Sequence, residues 1–331
     1  MSAVALSASA LRDAALQPST LRTYHRNLGK LLSHTRLSLQ QLLSHSPSHI
    51  DRLLASFIDH QYALGGSFDY CQHTLSGLVF QQPLLRHQLG ESRLRLRGWR
   101  NLIESHSHPP LTWELVVLFA VTMAKWGYHA ESIAALLSFD CYLRVGEMTR
   151  LQFRDVIMPH DARVGSAHPT MALRLARAKT GLNQWVSLRN PAVSTALLRY
   201  LRSSSFSADQ RIFPFSPDRF RRLLRRVAVS LGVGHTPYVP HSLRHGGATC
   251  DFLRGDSIEQ IMFRGRWKSM ESARRYIQTG RAIMATVDVP TQLNDSGAVL
   301  AGSLAAVMAH LQRSVPAVPT RPRGRRVRFL L

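Results

Sequence analysis

The sequence predicts a mainly α chain with one small β-hairpin, an α+β class in which a helical N-terminal module precedes a larger second domain. Three observations predict it. At 331 residues the chain exceeds the usual size of one domain, so two domains plus tails are expected. Apolar residues recur at helical spacing through most of its length. Only two runs, Met171 to Ala176 and Trp185 to Leu188, have the character of strands. With 45% apolar residues and 20 glycines and 16 prolines dispersed along it, the chain is excluded from the fibrous and disordered classes.

Taken in order, residues 1–15 read as a flexible N-terminus and residues 16–106 as the helical module. Pro18-Ser19 opens a helix with Leu21, Tyr24, Leu28, Leu31 and Leu32 on one face. A second helix starts at Ser48, where Ser48 and Asp51 have the spacing of a capping box, and Gly65-Gly66 ends it. Two more follow, Phe68 to Phe80 and Glu91 to Glu104. The last carries Arg93, Arg95, Arg97 and Arg100, either a solvated face or a phosphate-facing stripe.

The stretch His106 to Pro110 reads as a linker, and residues 107–290 as the second domain. Apolar helices run from Thr112 to Gly127 and from Ala130 into the segment 140–148, where a buried helix is expected to become a polar site. The two strands follow, joined by Lys179-Thr180-Gly181-Leu182-Asn183. Helices are then expected over Ala192 to Arg202, Pro217 to Leu231, His241 to Arg254, Ser257 to Phe263 and Ser269 to Ile277, each bounded by Gly, Pro or Ser. Residues 291–331 read as an extension with one helix, Gly302 to Leu311, and a disordered tail from Pro316 with five arginines.

Charge narrows the function. Forty-two basic residues against 20 acidic ones leave a formal +22, so a polyanion is the expected partner. Only Lys30, Lys125, Lys179 and Lys268 are lysines, and the other 38 basic residues are arginines. A lysine kept in such a chain stands out, because its pKa is the one a site can tune. Cys71, Cys141 and Cys250 are odd in number and widely spaced, so neither a disulfide framework nor a zinc site is indicated. The first ten residues lack the form of a signal peptide, and Leu115 to Ala124 is too short to span a bilayer. An intracellular protein is expected.

Five polar features of the second domain are expected to meet: Arg144, Lys179, His241 with Arg244, Trp267 and Tyr276. The segments YLRVGEMTRLQFRDV, ARAKTGLNQWVSL, PHSLRHGGAT and GRWKSMESARRYI occur in this order, and together they resemble the motif boxes of the tyrosine recombinases, or phage integrases. The resemblance spans roughly Pro110 to Gly280. Each box is weak alone, and the joint order carries the match. The segment FDCYLRVGEMTRLQF further resembles recombinases of eukaryotic mobile elements, for which a nuclear location would follow.

The resemblance implies a core-binding domain ahead of a catalytic domain, a clamp around double-stranded DNA, and four protomers assembled on synapsed sites. It implies that Tyr276 attacks a backbone phosphate to give a 3′-phosphotyrosine link, with no cofactor and no metal. Arg144 and Arg244 would clamp the phosphate, since guanidinium forks fit two oxygens at once and stay charged. His241 would act as base or phosphate donor, with helix capping as its competing structural reading. Lys179 would protonate the leaving 5′ oxygen. Trp267, where many relatives carry histidine, cannot transfer a proton at neutral pH, so its role is binding or packing. Glu147 would orient a catalytic neighbour, His245 reads as structural, and Arg93, Arg97 and Arg100 are candidate DNA contacts. A type IB topoisomerase, or a non-catalytic DNA-binding derivative of a recombinase, are the competing functions.

Overall fold

The computed structural model describes residues 10–103, 108–159, 161, 170–178, 181–277, 280 and 289–313. They divide into two compact units, one ending at residue 106 and the other starting at 107. Residues 106 and 107 of the expected linker lie outside the described residues.

The described residues of unit 1 form helices and their connections. Its elements are α1 (Ala10–Ala14), α2 (Pro18–Thr35), α3 (Leu39–Ser44), α4 (Pro47–Ala63), α5 (Phe68–Gln81) and α6 (Gly90–Leu102). Leu28, Leu31, Leu54, Phe57, Leu75, Leu78, Leu96 and Trp99 form one buried cluster, the stripe that periodicity marks on four of these helices. Part of the stretch expected to be flexible is helical: Arg12 in α1 donates to the carbonyls of Phe80, at 2.7 Å, and Gln81, at 3.0 Å.

The capping box at Ser48 and Asp51 is not one. Helix α4 starts earlier, with the Ser46 hydroxyl accepting from the His49 amide at 3.4 Å. Asp51 lies inside α4, and its buried carboxylate caps another helix, accepting from the amides of Glu91 and Ser92 at 2.8 and 2.9 Å where α6 begins. A carboxylate against the positive end of a helix satisfies amides that no local residue reaches.

Unit 2 contains α7 (Trp113–Lys125), α8 (His129–Asp140) and the single turn α9 (Val145–Met148). A three-stranded antiparallel sheet follows, β1 (Val156–Ile157), β2 (Ala172–Ala178) and β3 (Gly181–Ser187), in that order. Then come α10 (Pro191–Arg202), α11 (Pro217–Ser230), α12 (Pro240–Leu253), α13 (Ile258–Gly265), α14 (Met270–Arg274), α15 (Thr291–Gly302) and α16 (Leu304–Arg313). No helix among the described residues is long and apolar enough to cross a membrane.

The sheet is larger than the sequence suggests. Ala178 pairs with Gly181, so only residues 179 and 180 connect the strands, and Asn183 lies within β3 at φ +49°. Gly181 is a ladder residue despite its turn-forming type, whereas Asn183 keeps within β3 the left-handed backbone that its residue type favours. Beyond Pro290 two helices form instead of one. Leu304 and Met308 enter the core of unit 2, and Gly297 lies against α7 so closely that a Cβ there would meet the Glu114 carbonyl at 2.8 Å. A glycine mid-helix is a poor signal alone, and packing on α7 decides it. The five tail arginines lie outside the described residues.

Candidate active site

The site is built on two helix ends and one helix start. Helix α8 stops at Asp140, and Tyr142 takes the left-handed conformation, φ +48°, so that the Leu143 amide reaches back to Ser138 O at 3.2 Å. A left-handed residue is a standard helix stop. It costs a non-glycine residue roughly 1–2 kcal/mol, offset here by burial and by the Tyr142 hydroxyl donating to Asp251 at 2.5 Å. Arg144 therefore does not lie within a helix, as the sequence suggested, but at the entrance to α9, where its amide donates to Glu147 Oε2 at 3.0 Å and its guanidinium to Glu147 Oε1 at 2.6 Å.

Helix α12 carries His241, Arg244 and His245. Its approach to α8 depends on Gly247, where a Cβ would lie 2.1 Å from the Phe139 carbonyl. Arg244 is fully buried and donates to the backbone carbonyls of Tyr142 and, at 2.7 Å, Gly265. Burial first, then the cations Arg144 and Arg266, lower its pKa to about 9. It remains a cation at neutral pH.

After α13 the chain turns through Arg266, also left-handed at φ +57°. The Trp267 indole folds back over Gly265, where a Cβ would lie 1.8 Å from the ring. Tyr276 follows α14 in a turn, so the expected helix to Ile277 ends earlier, at Arg274. Its ring is held between Trp267, 4.6 Å between centroids, and His245, also 4.6 Å and nearly parallel. The Arg244 guanidinium lies 5.1 Å from the Tyr276 ring centre and 4.5 Å from that of Trp267. The Tyr276 hydroxyl is 3.1 Å from His241 Nε2. Thr249 donates to the Tyr276 carbonyl at 3.2 Å, tying it to α12.

The structure thus gathers Arg144, Glu147, His241, Arg244, Trp267 and Tyr276 in unit 2. Lys179 lies outside the described residues, between strand ends Ala178 and Gly181. Arg93, Arg97 and Arg100 lie exposed on α6 in unit 1. Arg93 donates to the Arg86 carbonyl at 2.8 Å, whereas the fourth basic residue of that stretch, Arg95, is paired with Asp59 and Glu91. Sequence reasoning missed Tyr142, Asp251 and Arg266. The only signal for Arg266 was its place after Gly265, a helix stop.

Glu147 is buried between two cations. Burial alone would raise its carboxyl, but Arg266 and Arg144 outweigh that and hold it below the usual range. His245 goes the other way. Burial, then repulsion from His241, lowers it to about 4, so it is neutral at pH 7. The unfolded chain binds that proton near pH 6.5 and the folded one only near 4. Stability is therefore whole above pH 6.5 and falls as pH drops through this window, by about 3 kcal/mol in all. Denaturant melts at pH 7.0 and 4.5 should show the loss, and His245→Gln should reduce it. An equal loss in the variant would remove His245 as the cause.

No family model matches the chain, and no curated protein does. Solved structures do. The Tn1549 transposon integrase in complex with transposon right end DNA aligns over 82% of this chain and 94% of that one, at 14% identity and a TM-score of 0.55. The same integrase with circular intermediate DNA aligns over 83% and 95%, at 15% identity and a TM-score of 0.54. XerA recombinase is a looser match, 16% identical over 85% and 95% with a TM-score of 0.41. The chain has the mainly α tyrosine-recombinase fold. Among the solved proteins whose fold it shares is the Tn1549 transposon integrase.

Proposed function

We propose that this protein is a site-specific DNA recombinase or integrase that cleaves and rejoins double-stranded DNA through a 3′-phosphotyrosine link at Tyr276. The observation that carries the reading is the pairing of the Tyr276 hydroxyl with His241 Nε2 at 3.1 Å, beside a buried guanidinium. A phenol is a weak nucleophile at neutral pH, and a histidine within hydrogen-bond reach is the group that takes its proton. The Tyr276 oxygen attacks phosphorus, the bond to the 5′ oxygen breaks, and Lys179 supplies the proton that this oxygen needs. The phosphodiester energy is kept in the new link, so a 5′ hydroxyl reverses the steps and reseals the strand.

Charge gathers on the non-bridging oxygens during attack, and fixed donors stabilise it. Arg144 and Arg244 are assigned that task. Trp267 joins them as a donor, since its buried indole N–H has no acceptor among the described residues. Glu147 orients Arg144. Arg93, Arg97 and Arg100 supply sequence-independent phosphate contacts. The active assembly is a homotetramer on two synapsed sites, and the setting is a mobile element.

The test is trapping on a nicked DNA substrate whose 5′ fragment diffuses away. A covalent adduct is expected at Tyr276 by peptide mapping, in the presence of excess chelator, because guanidinium groups rather than a bound ion neutralise the phosphate. Cleavage lost to chelator and restored by magnesium would replace this reading with a nuclease-like one.

A further inference from the structure

Arg266 stands at a position whose backbone favours glycine, φ +57°, yet carries a long cationic side chain that is 4% exposed. Residues held in such conformations persist where the surroundings repay them, and they cluster at functional sites. The repayment here is in the contacts. Arg266 donates to the carbonyls of Cys141 at 3.3 Å, Arg264 at 3.2 Å and Tyr142 at 3.2 Å, and to Glu147 Oε2 at 3.1 Å.

Two of these acceptors are shared with the phosphate-clamping pair. Glu147 also receives the Arg144 guanidinium, on its other oxygen. The Tyr142 carbonyl also receives the Arg244 guanidinium. Arg266 is therefore one bond removed from each of the two arginines. The charge count follows from the same contacts. Glu147 alone with Arg144 would cancel it, a buried ion pair of no net charge facing an anionic substrate. With Arg266 on the second oxygen, the carboxylate is divided between two cations and Arg144 keeps attraction to spare for phosphate.

Resting on the recombinase reading, we infer that Arg266 is a positioning residue for strand cleavage. It shares the negative charge of Glu147, which leaves Arg144 free to act on the phosphate, and it braces the Tyr142 carbonyl that aims Arg244. Arg266 itself touches no reacting atom. Its loss acts through Glu147, so removing that charge as well compensates in part.

Single-turnover adduct formation on nicked DNA tests this, with Arg266→Gly, Arg266→Lys and the double variant Arg266→Gly with Glu147→Gln, and thermal melting and DNA affinity measured on each. Glycine suits the left-handed backbone, so Arg266→Gly is expected to fold and to bind DNA within about threefold of the parent, while forming adduct on the order of 10²-fold more slowly. Arg266→Lys keeps the cation and should regain about tenfold of that loss, and so should the double variant. A double variant that melts like Arg266→Gly but cleaves no faster would overturn the charge-sharing role and leave Arg266 a brace only. Adduct formation unchanged in Arg266→Gly would overturn the inference outright while leaving the nucleophile assignment intact. A parent protein that forms no adduct would instead sink the recombinase reading, and this inference with it.

Discussion

Tyr276→Phe is expected to abolish the covalent protein–DNA adduct while leaving DNA affinity unchanged within about twofold, because only one oxygen is lost. The phenyl ring retains its packing between Trp267 and His245 and its place beneath Arg244. What disappears is the bond to His241, a loss of about 1 kcal/mol in stability. Electrophoretic mobility under native conditions reports binding, and a denaturing gel reports the adduct. A denaturation-resistant adduct that survives in the Phe variant would assign the nucleophile elsewhere, and the geometry around His241 would then need another explanation.

Lys179→Arg is expected to bind DNA normally and cleave on the order of 10²–10⁴-fold more slowly. Arginine keeps the charge, but with a pKa above about 12 it is a poor proton donor. A substrate with sulfur in place of the bridging 5′ oxygen isolates the step, since a thiolate leaves without a proton. That substrate should restore cleavage by Lys179→Arg and should not restore it in Arg144→Ala, whose defect is in stabilising the phosphate. Equal response of both variants to sulfur would remove Lys179 as the general acid and make it a phosphate contact that arginine largely replaces.

Most helices of the protein are legible in the amino-acid order because their signals are local. Apolar spacing marks α2, α5 and α11, and Pro191, Pro217 and Pro240 mark three helix starts to within a residue. The small sheet was legible as a hairpin but not in its extent. Gly181 and Asn183 resemble turn residues by type; pairing with Ala178 of β2 makes Gly181 strand, and Asn183 lies in β3 with a left-handed backbone. The first of the two C-terminal helices, α15, was invisible because its Gly297 is a packing feature, cut to fit against Glu114.

For the candidate site, the sequence by itself determined which polar residues are present, their order and their spacing, and from these the resemblance and the tyrosine, histidine and arginine set. Tertiary structure alone decided how they are held. Asp51 caps a helix 40 residues away, Tyr142 reaches Asp251 across 109 residues, and Arg266 meets Glu147 across 119. The left-handed residues at these turns, Tyr142 and Arg266, are not themselves glycines. The physical reason is one of range: helix propensity and capping act within a few residues and leave a pattern in the chain. A buried charge, in contrast, is stable only where distant backbone carbonyls and carboxylates converge on it, and that convergence exists only once the helices have packed.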